Sequence, residues 1–317
     1  MTKSSLVTVA KALVSLLILG YLFWQIDLPH LWQQMDRLSL PFILFALGFY
    51  AGCQLLSCFR WQIILQAHGV HHPLGDLFRC YFGGMFLNSF LPSSIGGDAY
   101  RVYRLSQSQG KPEIAFASVF LERVTGLIAL LTIAFVALIP AVQKFGQLDI
   151  LLLLVGCTLT LWTGVALILN PWLLRPTYSL FRRLKLSRLW RKLFKIQRLL
   201  IRFARSKQQL ITSMLLSLLL QLLLVYYYFL VAQQLNISLT YGDLLVFIPI
   251  ITVFSMLPIS IGGYGVKEGI VSYLFVRVGL TIEQALLFSI ALTFLGLLLS
   301  LPGAVVVLQR SPPKTSF

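Results

Sequence analysis

The chain of 317 residues is 58% hydrophobic and 11% charged, where soluble domains carry roughly 25% charged residues, so an ordinary soluble fold is excluded. Its 26 Lys+Arg against 10 Asp+Glu give a formal charge of +16. This is the composition of a polytopic integral membrane protein with basic segments held on one side of the bilayer.

In chain order, six apolar runs are long enough to cross about 30 Å of hydrocarbon as helices: residues 6–23, 41–66, 113–139, 148–170, 210–235 and 281–308. The first ends in YLFWQIDLPH with no small-residue cleavage pattern and reads as a retained span. Two leftover segments, 74–100 and 241–279, are apolar but interrupted by proline and glycine. The expected fold is therefore an all-α polytopic integral membrane protein, one membrane domain over 1–317. It has six full spans plus two broken or re-entrant helical segments, up to about eight spans in all. Cys53, Cys58, Cys80 and Cys157 lie in apolar stretches without metal-ligand spacing and read as packing residues. His68, His71 and His72, in HGVHH, and His30 cluster near span ends and read as polar interfacial positions.

Residues 171–208 hold twelve of the cations, which makes the segment cytoplasmic by the positive-inside rule. Arg188, Arg191, Lys195, Arg198, Arg202 and Arg205 recur at helical spacing, offset from Leu186, Leu189, Leu193, Leu200 and Phe203. Such an amphipathic helix is expected to lie in the headgroup plane and attract anionic lipid, or simply to fix topology. Nucleic acid is not an expected partner, because spans flank the basic run and it has its own apolar face. From this anchor the spans alternate consistently, with Arg101, Arg104 and Lys111 inside, the loop around Lys144 outside, and both termini cytoplasmic.

The broken segments contain an internal repeat. LPSSIGG at Leu91–Gly97 and LPISIGG at Leu257–Gly263 agree at six of seven positions, 166 residues apart. Each follows a Gly-Asp-Leu start, Gly75-Asp76-Leu77 and Gly242-Asp243-Leu244, and each precedes a cation, Arg101 and Lys267. In the topology above the two segments enter from opposite sides, an inverted-topology repeat over 41–142 and 210–308 of the type that builds transporters. Pro92 and Pro258 each remove a backbone donor, and the glycine pairs break the helix. Non-helical backbone at that depth must be buried in protein or line a wet cavity.

Ionisable residues inside the spans are the other candidates. Arg60, within two turns of a helix end, is expected to snorkel to the cytoplasmic surface. Arg79 belongs to the first broken segment. Glu122 and Arg123 sit too deep for that; Glu122 is expected to meet a cation such as Arg101 or Lys267, and Arg123 an anion or broken-helix carbonyls. The alternative is a static ion-pair network that fixes helix register.

NSFLPSSIGGDAYRVYRL, SMLPISIGGYGVKEG and FLERVTGL together resemble the lysylphosphatidylglycerol synthase transmembrane-region family, the flippase-like domain proteins, over roughly residues 6–308. The resemblance implies an inner-membrane protein related to the segment that translocates aminoacylated phosphatidylglycerol. Its motif positions here are Pro92, Ser94, Gly96, Gly97, Asp98, Arg101, Glu122, Arg123, Pro258, Gly262, Gly263, Gly265, Lys267 and Glu268. The chain ends nine residues after its last apolar run, so no soluble aminoacyl-transferase domain, and no synthase activity, is expected.

The expected function is a lipid flippase or lipid transporter that moves or binds an anionic phospholipid or lipid-linked headgroup between two inverted repeats. The headgroup site comprises Ser94, Gly96, Gly97, Asp98, Arg101, Glu122, Arg123, Ser260, Gly262, Gly263, Lys267 and Glu268. Exposed backbone N–H groups and half-helix dipoles would act as donors. No cofactor, metal or catalytic residue is expected, since no metal spacing, P-loop or GxSxG pattern occurs. The alternatives are an intramembrane enzyme acting on a lipid or polyprenyl-phosphate headgroup, with Asp98 or Glu122 as acid or base, and an accessory subunit that binds lipid or a synthase. A lipid-synthesis enzyme or a second copy of the chain is a further candidate partner.

Overall fold

The computed structural model describes residues 20–21, 34–90, 96–145, 148–170, 187–256 and 265–309. Among them every regular element is a helix, as expected for an all-α membrane protein: α1 (Leu40–Ala67), α2 (Leu74–Phe90), α3 (Gly96–Gln109), α4 (Pro112–Phe145), α5 (Leu148–Leu169), α6 (Ser187–Arg205), α7 (Lys207–Gln234), α8 (Tyr241–Ser255), α9 (Val266–Arg277), α10 (Ile282–Ser300) and α11 (Pro302–Leu308). Most of the first apolar run, residues 171–186 and both termini fall outside the described residues.

Among the described residues, four helices are long and apolar enough to cross a membrane: α1, the Pro112–Ala137 part of α4, α7 and α10. Their outer faces are apolar, with Leu44, Val136, Ile211 and Leu215 all strongly exposed. Polar and charged side chains such as Gln54, Arg60, Arg101, Glu122 and Ser217 are buried instead. Apolar groups outside and ionised groups inside are what a hydrocarbon solvent selects. One expectation is corrected: 281–308 is not a single helix. It breaks at Leu301, where α10 ends and α11 begins at Pro302, because proline has no N–H to continue the ladder and fits the first helical turn.

Each leftover segment holds two helices, one on either side of the repeated motif. In α2–α3, Gly84 faces Arg101 while Asn88, one turn on, meets Gly97, so paired positions advance in opposite directions and the helices are antiparallel. The Gly97 amide donates to Asn88 Oδ1 at 2.7 Å, and a Cβ on Gly97 would overlap the Gly84 carbonyl oxygen. The glycines are there for backbone contact. In α8–α9, Phe247 and Phe275 rings lie 6.4 Å apart across the second motif. At 1.5 Å per residue α2, α3, α8 and α9 are about 26, 21, 22 and 18 Å long, each short of an approximately 30 Å hydrocarbon core. The residues between the helices of each pair, including Pro92, Ser94, Pro258, Ser260, Gly262 and Gly263, lie outside the described residues.

The repeated Gly-Asp-Leu triplets sit at equivalent places, in the first turns of α2 and α8. At α8 the chemistry is a capping box: the Asp243 amide donates to Thr240 Oγ1 at 3.2 Å, and the Thr240 amide donates to Asp243 Oδ2 at 3.0 Å. The main apolar core joins α1, α4, α7, α8, α9 and α10 through residues such as Leu130, Val225, Phe247, Phe275 and Phe288. The basic helix α6 is not simply laid on the headgroups. Leu200 and Phe203 are buried in a cluster with Ile64, Ala117 and Leu121, and His68 Nε2 lies 3.2 Å from the Leu199 carbonyl, while Arg191, Lys192, Lys195, Arg198 and Arg202 face outward.

Candidate functional site

The buried charges converge on one cavity of about 290 Å³, walled on one side by α1–α4 and on the other by α7 and α8. Glu122 enters from α4, ten residues past Pro112, or about 15 Å along the helix. Arg60 of α1 donates through Nη2 to Glu122 Oε1 at 3.1 Å and through Nη1 to Ser217 Oγ of α7 at 2.9 Å. Arg101 of α3 donates through Nη2 to Glu122 Oε2 and lies 3.6 Å from Asp98 through Nη1. Arg123 Nε donates to the other Asp98 oxygen. The result is a chain of alternating charge, Arg60–Glu122–Arg101–Asp98–Arg123, three cations to two anions.

Adjacent residues on α4 thus serve different partners. Glu122 faces α1 and α3, and Arg123, about 100° around the helix, reaches Asp98 in the first turn of α3. Glu122 is 2% exposed, Arg60 and Arg101 5% each. A buried charge survives only with partners, and removing one member costs about 3–5 kcal/mol. The Arg101 guanidinium is also held flat between two rings, its Cζ 4.1 Å from the Trp61 centroid and 4.2 Å from that of Tyr81. Tyr81 in turn donates its hydroxyl to Glu122 at 3.3 Å. Even so, the Nε atoms of Arg60 and Arg101 are buried with no hydrogen-bond partner among the described residues. Unpaired guanidinium donors are exceptions that call for an acceptor.

The rest of the wall is divided. Tyr50, Gln54, Ser57 and Gln221 are polar and neutral, while Met85, Leu127, Leu130, Leu220, Leu224 and Met256 are apolar. Headgroup-like and chain-like chemistry therefore meet in the same space.

Of the residues singled out in the sequence, Asp98, Arg101, Glu122 and Arg123 are brought together here. Gly96 and Gly97 begin α3 beneath them. Ser94, Ser260, Gly262 and Gly263 are outside the described residues. Lys267 and Glu268 do not line the cavity: Lys267 Nζ donates to Thr293 Oγ1 of α10 at 3.1 Å, and Glu268 Oε2 accepts from the Gly265 amide at 2.7 Å, capping its own helix. Gly265 itself has φ +86°, a backbone that favours glycine.

Arg60 is a correction. Instead of reaching the cytoplasmic surface it turns inward, because Glu122 and Ser217 satisfy it inside the bundle. Arg79, by contrast, is exposed and lies 3.9 Å from Asp76. Sequence reasoning missed Tyr81, Trp61, Gln54, Gln221 and Ser217; polar residues at these depths in apolar helices were the available signal.

Fold and cavity together define a multi-pass, all-helical membrane protein enclosing an ionised polar site. Residues 8–303 match the family described as "Lysylphosphatidylglycerol synthase TM region", and the chain belongs to that family. It is similar to a UPF0104 membrane protein of Pyrococcus horikoshii, 26% identical with 98% of each chain covered. A UPF0104 membrane protein of Methanocaldococcus jannaschii is 27% identical over 39% of this chain and 36% of its own. No solved structure matches.

Proposed function

We propose that the chain is a lipid transporter of flippase type in the cell's inner membrane, with the cavity as the transient site of an anionic phospholipid headgroup. One observation carries this: three guanidiniums against two carboxylates, with Arg60 and Arg101 buried, beside an apolar wall. An anion with an attached hydrocarbon chain answers both halves of that surface. The α2–α3 and α8–α9 helix pairs, which flank the two matching motifs, are the elements whose relative movement would alternate access. Basic segments on one side favour cytoplasmic termini.

Transport rather than catalysis is the reading, because the carboxylates that acid–base chemistry would use are both engaged by guanidiniums. Movement is then downhill or coupled to an ion gradient. The test is leaflet exchange of fluorescent phospholipids in vesicles reconstituted with purified protein, read by chemical quenching from outside. Exchange faster than in protein-free vesicles, and slower with Arg101→Gln, is the expected result. No acceleration, with or without a proton gradient, overturns the proposal.

A further inference from the structure

We infer that α6 is a docking surface for anionic phospholipid headgroups of the leaflet on its own side of the membrane, a site separate from the cavity. By the positive-inside rule that leaflet is the cytoplasmic one. Binding there does not depend on transport through the cavity.

Where α6 lies follows from what it touches. Leu200 and Phe203 are buried with Ile64 and Ala67 in the last turn of α1 and with Ala117 and Leu121 in the first three turns of α4. The His68 ring, just past α1, stacks on Phe203 with centroids 6.4 Å apart. Lys195 Nζ lies 3.2 Å from Oε2 of Glu113, the second residue of α4, and Gln197 Nε2 donates at 3.0 Å to the Asn170 carbonyl just past α5. α7 begins two residues after α6 ends. Touching the closing turns of α1 and α5 and the opening turns of α4 and α7, the helix crosses one end of the bundle, where hydrocarbon gives way to headgroups.

The side turned away from the bundle is basic. Arg191, Lys192, Lys195, Arg198, Arg202 and Arg205 are all exposed. At 100° and 1.5 Å per residue they fall within an arc of about 140° and along a row of about 21 Å. α6 contains no Asp or Glu, and among the described residues the one ion pair its side chains make is Lys195 with Glu113.

The arrangement favours a lipid surface over an acidic protein. Cations in a row, rather than converging on a point, suit many mobile single charges more than one shaped ligand. Beside the row, Trp190 and Phe194 stack at 4.8 Å and Leu193 is exposed, an aromatic and apolar edge of the kind that settles at the membrane–water interface. The Arg198 guanidinium lies over the Phe194 ring at 4.5 Å, joining that edge to the row. Because Leu200 and Phe203 are already committed to the bundle, the charges are held in place and need not fold on contact.

The experiment reconstitutes the full chain in phosphatidylcholine vesicles with a trace of phosphatidylglycerol or phosphatidylcholine whose headgroup carries a diazirine. After illumination, adducts are mapped to proteolytic peptides by mass spectrometry. Peptides from α6 should label about fivefold more with the phosphatidylglycerol probe at about 0.1 M salt. The ratio should fall to within about twofold near 1 M salt, where the screening length shrinks to about 3 Å. Arg191→Gln, Lys192→Gln, Arg198→Gln and Arg202→Gln combined should bring the low-salt ratio to about one; should that variant not fold, the salt series on the native chain decides.

Equal labelling of α6 by the two probes at low salt overturns the inference and leaves the row to an acidic protein. So does a preference that persists near 1 M salt, or one that persists in the folded variant. Leaflet exchange is read separately: a chain that moves no lipid but labels as expected keeps this surface and loses the transport proposal.

Discussion

Glu122→Gln removes the anion that Arg60 and Arg101 share while keeping size and hydrogen-bonding shape. In the native cavity Glu122 is 2% exposed, 3.1 Å from Arg60 and directly paired with Arg101. The substitution raises the cavity charge from one to two and leaves Arg60 and Arg101 facing each other without a carboxylate. Removing one member of a buried pair costs about 3–5 kcal/mol. At about 2 °C per kcal/mol for a chain of this size, melting of purified protein in detergent should fall by about 6–10 °C. Adding Arg60→Met restores the original net charge and should recover about half of that loss, a non-additivity that a double-mutant cycle reads directly. If Glu122→Gln melts within about 2 °C of the native protein, or if the two substitutions add without coupling, Glu122 is not what holds the guanidiniums together.

Gly97→Ala should prevent stable folding or cost several kcal/mol by thermal melting, because its Cβ overlaps the Gly84 carbonyl. Gly126→Ala, where the nearest atom would be 3.4 Å away at Arg60 Nη1, should be far milder in the same assay. Lys267→Met should leave leaflet exchange of fluorescent phospholipid in reconstituted vesicles within about twofold, since Lys267 is absent from the cavity wall; a large loss would return Lys267 to the site. In the loop between α1 and α2, burial pushes the His72 imidazole below its ordinary range, with Asp76 opposing. The folded state therefore takes up its proton later than the unfolded state does. Stability from this residue is complete above about pH 6.5 and is lost below it, so the fall in melting temperature on acidification should be smaller in His72→Gln.

Much of the architecture was legible because bilayer physics is coarse: long apolar runs became α1, α4, α7 and α10, and the repeated Pro-Gly motif marked both hairpins. The need of Glu122 for a cation was legible too, from its depth alone. The identity of its partners was not. Ser217 is 157 residues from Arg60, and no local pattern announces such a meeting. Arg60 was misread because distance from a helix end says how far a side chain must reach, not what waits inside. Lys267 matches Arg101 by motif but does not line the cavity: it is the second residue of α9 where Arg101 is the sixth of α3. That places it one turn, about 6 Å, nearer the loop.

The spacing of the charged partners has a consequence for biogenesis. Arg101 and Glu122 are 21 residues apart, so the acidic partner on α4 leaves the ribosome soon after the basic one on α3. Arg60 precedes Glu122 by 62 residues and Ser217 by 157, and α2 gains its packing against Gly303 of α11 later still. Insertion can thus begin with the nearest pair, while the finished chamber must wait for the last helices to arrive.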